Sequence, residues 1–304
     1  MLVKMHSVAN IGLETVPIDV EVDVAAVGFP GFTIVGLASK AVEEARERVK
    51  TAINNSGFEF PPKKITVNLA PADLPKDGAA YDLPIAIGVL LASGQISLDV
   101  TLEEKHLLFY GELSLDGALR PTRGILLLGL YAQKHKNSLI FVPEISANEA
   151  SVVESITVYP VKNLQQLVSH LSGEKSISPL PFTPVPEDVD TLPIGFDLTE
   201  IAGQELAKRA LLIAAAGGHN LLMWGPPGTG KTMLARALPG ILPPLAAREA
   251  LEVTRIYSIC GMLSSGQAYL RTRPFRSPHH GVSAAGMIGG GSNPLPGEVS
   301  LAHL

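Results

Sequence analysis

The run GPPGTGKT at 225–232 constrains this chain more than any other stretch. It fills every defining position of the phosphate-loop pattern. Gly225, Gly228 and Gly230 let backbone N–H groups turn inward around phosphate oxygens, with Pro226, Pro227 and Thr229 completing the curl. Lys231 has the reach for the outer phosphates of a nucleoside triphosphate, and the Thr232 hydroxyl suits Mg²⁺. The context agrees. HNLLMWG before the loop predicts a buried strand, and KTMLARAL after it predicts a helix whose positive end faces the same anion. A glycine-rich turn alone would need neither the lysine nor the threonine. Strand, loop and helix together predict an α/β nucleotide-binding domain using ATP and Mg²⁺.

Upstream, DLTEIAGQELAKRALLIAAAGGHN predicts an amphipathic helix. It resembles the segment preceding the phosphate loop of AAA+ ATPases. That resemblance offers Ile201 and Gln204 as adenine contacts, beside the plainer reading of a helix entry capped by Thr199. Phosphoryl transfer also needs an acidic metal ligand on a neighbouring strand. No apolar strand ending in Asp-Glu follows the loop, so the expected α/β domain stops before its acidic (Walker B) strand.

The first half of the chain has a different texture. In PIDVEVDVAAVG, Ile18, Val20, Val22 and Val24 alternate with Asp19, Glu21 and Asp23, the signature of a half-buried strand. GFPGF reads as a turn and TIVGL as the returning strand. Ala38, Ala41, Val42, Ala45, Val49, Ala52 and Ile53 form a helical stripe, with Ser39 able to cap its start and Gly57 its end. KITVNLA predicts a strand, DLPIAIGVLLASGQI a buried helix, and HLLFYGELSLDGALRP a hairpin turning at Asp116-Gly117. A helix is expected from about Thr122 to Lys136, then short strands in SLIFVP and ITVYPV and a helix in NLQQLVSHL. Strands and helices without strict βαβ alternation predict an α+β domain over 1–171. A proline-rich linker follows over 172–196, then the nucleotide domain over 197–304.

At 304 residues the chain suits two domains. Its net charge of −5 does not advertise nucleic-acid binding, so any such contact must come from a local patch or a ring. The single Cys260 excludes an internal disulfide and fits a cytoplasmic protein, as does the lack of a signal-peptide core in MLVKMHSVANIG. The uncharged stretch 210–230 carries His219, Asn220, Pro226 and Pro227, which suit a strand and a loop better than a membrane span.

One local patch exists. RTRPFRSPHH gathers Arg271, Arg273 and Arg276 with His279 and His280 around Phe275. Cations beside an aromatic ring can contact a phosphate and a base. A metal site at the paired histidines and an ordinary solvated loop are the other readings. The following GMIGGGSNPLPG predicts a mobile loop with Met287 and Ile288 exposed, and it lacks the lysine of a second phosphate loop.

GGHNLLMWGPPGTGKTMLA, RPFRSPHH and PGEVSLAH in the second part, and VGLASKAVEEARERVKTAINNSG in the first, resemble the YifB/ComM family of magnesium-chelatase-like AAA+ ATPases. The resemblance covers essentially the whole chain. It implies a Lon-protease-like N-terminal domain, an AAA+ module, a homo-oligomeric, hexameric ring, and ATP-driven branch migration on single-stranded or branched DNA. Lon-type peptidases use a Ser-Lys dyad. PKDGAAYD places Ala80 where the serine would stand, and GELSLDGALRPTRGILLL places Leu126 where the lysine would fall. The resemblance therefore implies a Lon-like domain without peptidase chemistry. A chelatase-type motor remodelling a partner protein, and a non-proteolytic scaffold, remain the competing functions.

Overall fold

The computed structural model describes residues 1–36, 39–74, 76, 78–187, 196–291 and 294–304. They fall into two compact units, one comprising Met1–Pro184, Arg255–Ala268 and Gly290–Leu295, the other Val185–Thr254, Tyr269–Gly289 and Pro296–Leu304.

The first unit is built on strands β1 (Leu2–Ile11), β2 (Glu14–Val24), β3 (Gly31–Val35), β4 (Lys64–Ala70), β5 (His106–Phe109), β8 (Ser138–Pro143) and β9 (Thr157–Val161). They form one mixed seven-stranded sheet in the order β3-β4-β2-β1-β5-β8-β9. The β1–β2 and β2–β4 pairs are antiparallel, while β3–β4, β1–β5, β5–β8 and β8–β9 are parallel. Alternation on β2 sets its register: Ile18, Val20, Val22 and Val24 are buried, while the intervening acids face the other side. A small hairpin, β6 (Glu112–Leu113) with β7 (Leu119–Arg120), turns at Gly117 in the left-handed region, as its Asp-Gly predicted.

Three helices contribute to the core on one face. In α1 (Lys40–Asn55) the buried stripe is Val42, Ala45, Val49, Ala52 and Ile53. Ala38 lies outside the described residues, and Ser39 stands at the N-cap position without a side-chain cap bond. Helix α2 (Asp82–Ala92) is buried at every position, which its unbroken apolar run requires. Gly88 allows the close approach: a Cβ there would stand 2.6 Å from Val22 Cγ2. Helix α3 (Ile125–Ala132) covers part of the opposite face and is shorter than the expected helix, because Gly124 enters it at φ 77°. Asn163 caps α4 (Leu164–Leu171) through the Gln166 N–H. Part of the proline-rich segment also belongs to this unit: the Leu180 N–H donates to Val158 O at 2.8 Å and the Thr183 N–H to Ser151 O at 2.8 Å.

The second unit carries α5 (Glu205–Gly217), α6 (Lys231–Ile241) and the start of α7 (Ala247–Cys260). A short α8 (Ala284–Ile288) and α9 (Glu298–Leu301) follow. GMIGGG is thus not wholly loop: Ser283 caps α8 through the Gly286 N–H, and Ile288 is exposed at its end. The strand expected over 219–225 is absent. Leu222 is 92% and Trp224 96% exposed. A strand exists through its pairing partners, and among the described residues none lies alongside this segment.

Candidate nucleotide-binding site

The second unit's small core sets the loop. Ile201, Leu211, Leu234 and Ala237 are buried together, with Met223 and Leu238 against them. The chain enters by a capping box: the Asp197 carboxylate accepts from the Thr199 N–H at 2.7 Å, and Glu200 Oε1 accepts from the Asp197 N–H at 3.3 Å. Asp197 thus caps a single 3-10 turn, Leu198–Glu200, signalled by the Asp-x-x-Glu spacing, while α5 itself has Gln204 at its N-cap without a side-chain cap bond, so Thr199 does not cap it. Gln204 adopts φ 60°, ψ 35°, a left-handed conformation, at the start of α5. Ile201 packs inward on α6, whereas Gln204 is exposed.

Residues 225–230 curl ahead of α6. Gly228 and Gly230 sit at φ 79° and 83°, where a side chain would be strained. Gly230 is the N-cap of α6, and the first helix bond runs from the Leu234 N–H to Gly230 O at 3.0 Å. The N–H groups of the preceding first-turn residues thus have no acceptor within the helix. The Lys231 ammonium reaches back across the curl, donating to Gly225 O at 2.9 Å, Pro226 O at 2.6 Å and Thr229 Oγ1 at 3.3 Å. The Thr229 hydroxyl itself donates to Pro226 O at 3.0 Å. Pro227 and Thr232 are exposed, Thr232 in the first turn of α6. Helix-terminal N–H groups and an ammonium on one concave loop form a donor set for a polyphosphate.

The basic segment is arranged differently. Arg273 donates through Nε to Pro243 O at 2.8 Å and also bonds Leu304 O, with Glu249 3.6 Å away. Arg276 makes a two-pronged bond to Glu298, at 2.6 Å and 2.6 Å. Both guanidinium groups are engaged inside the unit. Phe275, His279 and His280 are exposed, the two imidazoles with centroids 4.0 Å apart. Among the described residues no group of three or more His, Cys, Asp or Glu is arranged to hold a metal ion.

In the first unit Ala80 and Leu126 are 6% and 0% exposed and offer no nucleophile or base. Pro75 and Asp77 of the same loop lie outside the described residues. Lys76 is buried, its ammonium on Pro71 O, and burial lowers its pKa.

These features define a phosphate-loop protein. Residues 197–304 match the family model described as magnesium chelatase, subunit ChlI, and residues 20–146 match that of subunit ChlI of Mg-chelatase. YifB of Salmonella typhimurium is 46% identical over 302 residues, covering 99% of this chain and 58% of that protein. YifB of Escherichia coli is 46% identical over 299 residues, covering 98% and 57%. The competence protein ComM of Haemophilus influenzae is 45% identical over 307 residues, covering 99% and 58%. The chain belongs to the YifB/ComM family of magnesium-chelatase-like AAA+ proteins and spans a little under three fifths of these relatives.

Proposed function

We propose that this chain is part of an ATP-driven AAA+ ring motor that remodels DNA, of the ComM type. The observation that carries the nucleotide half is the Lys231 ammonium held across the 225–230 curl, ahead of a helix N-terminus. Gly225, Gly228 and Gly230 would cradle the phosphates, Lys231 would neutralise the outer ones, and Thr232 would hold Mg²⁺. Bound ATP with Mg²⁺ supplies a phosphoanhydride whose cleavage releases the free energy for work. Gln204, exposed at the entry to α5, would face the adenine, and Ile201, packed against α6, would back that contact.

The DNA half rests on similarity to a competence protein. We also read residues 1–171 as a Lon-like domain that has lost its dyad, serving as a scaffold or docking domain, and 197–304 as the AAA+ part. A cytoplasmic homo-hexamer would place one copy's loop beside the next. Among the described residues no helix is long and apolar enough to cross a membrane.

Lys231→Ala tests the first half. In the full-length protein it should abolish ATP binding and turnover; retained ATPase would remove the phosphate-loop assignment. A four-strand junction assay tests the second. Migration should require ATP, and migration by the Lys231→Ala protein at the normal rate would exclude a motor.

A further inference from the structure

The chain carries a net charge of −5, yet one groove of the first unit gathers cations. Its volume is about 480 Å³. Phe32, Phe60 and Pro61 form its apolar floor, and the Phe32 and Phe60 rings lie 5.3 Å apart at 44°. Lys50 and Arg46 line the α1 side with Glu47, and Lys63 closes the other.

The turn between β2 and β3 stands beside this groove. It is tied to the adjacent lysines through the backbone: the Ala25 N–H donates to Lys64 O at 2.9 Å, and the Gly31 N–H to Lys63 O at 3.3 Å. Lys64 runs close to Gly28, where a Cβ would lie 3.6 Å from Lys64 Cβ. At the tip, Phe29 is 94% and Val27 90% exposed. Lys50, Lys63 and Lys64 are exposed, and among the described residues none has an acidic oxygen within 4.0 Å.

We propose that this groove binds single-stranded DNA, with bases stacking on Phe29 and the Phe32–Phe60 pair and phosphates on Lys50, Lys63 and Lys64. The proposal rests on the DNA reading above and moves the contact away from Arg273 and Arg276, whose charges are already engaged. Lysines without a counter-charge release condensed ions when they meet a phosphate backbone. An exposed ring gains by stacking on any base face, and only an unpaired strand offers those faces. A second copy of this chain fits less well. Tip and groove adjoin, so a two-fold pairing would bring lysines against lysines.

Fluorescence anisotropy with a labelled oligothymidylate tests this on the full-length protein across a salt series. Phe29→Ala should weaken binding roughly 5- to 150-fold, the range of one lost base–aromatic stack. Lys63→Ala with Lys64→Ala should lower the slope of log affinity against log salt by about 1.4 for two lost phosphate contacts. Lys175→Ala, an exposed lysine elsewhere in the first unit, should change neither. Because Phe29 is solvent-exposed, its variant keeps the fold, which a matched thermal melt verifies. Normal affinity and slope in both groove variants would overturn the groove and leave the DNA reading standing. No binding of single-stranded or branched DNA by the unaltered protein would overturn both. An oligomer that Phe29→Ala dissociates while DNA affinity holds would assign the tip to a second copy instead.

Discussion

Glu149 shows how one residue can make this fold sensitive to pH. It is 9% exposed in the first unit, accepts the Ser258 hydroxyl, and receives backbone N–H bonds from Ile125 and Leu126 at the start of α3. Burial outweighs those bonds and pushes its pKa up to about 7. A carboxyl raised above its unfolded value binds a proton on folding. Its contribution is full below the unfolded pKa and is lost as pH rises through about 7. Urea unfolding should therefore show the first unit losing up to about 3 kcal/mol from this group between pH 4 and pH 8. Glu149→Gln should flatten that part of the profile, and an unchanged profile would show that the carboxyl stays ionised. Neither Glu149 nor its partner was legible beforehand, since 109 positions separate it from Ser258.

Between elements, the decisive polar contact joins α1 to α2. Arg48 grips Asp82 at 2.8 Å and 3.2 Å, and the Leu113 N–H adds a third bond at 3.3 Å. Asp82 is fully buried, so losing the arginine strands a charge in the core. Arg48→Ala should cost roughly 3–5 kcal/mol near neutral pH, measured by chemical denaturation. The loss should shrink in acid, where Asp82 takes a proton, and a cost equal at pH 5 and pH 8 would contradict this account. Period alone revealed most of the elements around this pair. The alternation on β2, the stripe of α1 and the apolar run of α2 each follow from side chains that must be buried. The ion pair did not show, because its partners lie 34 positions apart on different helices. The strand before the phosphate loop was misread for the opposite reason: HNLLMWG has the right residues, but pairing is not encoded in one segment. The lysine–aromatic groove is not legible in any one segment because it draws on α1, the β2–β3 turn and the approach to β4, although PPKK at 61–64 is a local hint.

Across the whole molecule the two units differ in how well they are covered. In the first, residues from α1, α2, α4 and the sheet form one large core. In the second, the core around α6 is small, while Leu206 and Ile213 of α5 are 85% and 57% exposed. Apolar surface left in water gives no stabilisation. Calorimetry of this chain should accordingly resolve two transitions, the second unit melting first. ATP with Mg²⁺ should raise only the lower one, by about 2.7 kcal/mol at a hundredfold excess over Kd, and Lys231→Ala should cancel the shift. A single transition, or an equal shift of both, would show that the units do not melt independently.

The exposed segment before the phosphate loop has a practical use. Trp224 is the chain's single tryptophan, it adjoins Gly225, and it is 96% exposed. Tryptophan emission from this chain thus comes from one point beside the nucleotide loop. Its colour reports whether that side chain is wet or covered, and its quenching reports what approaches the loop. The molecule carries its own optical probe at the place where its chemistry is proposed to occur.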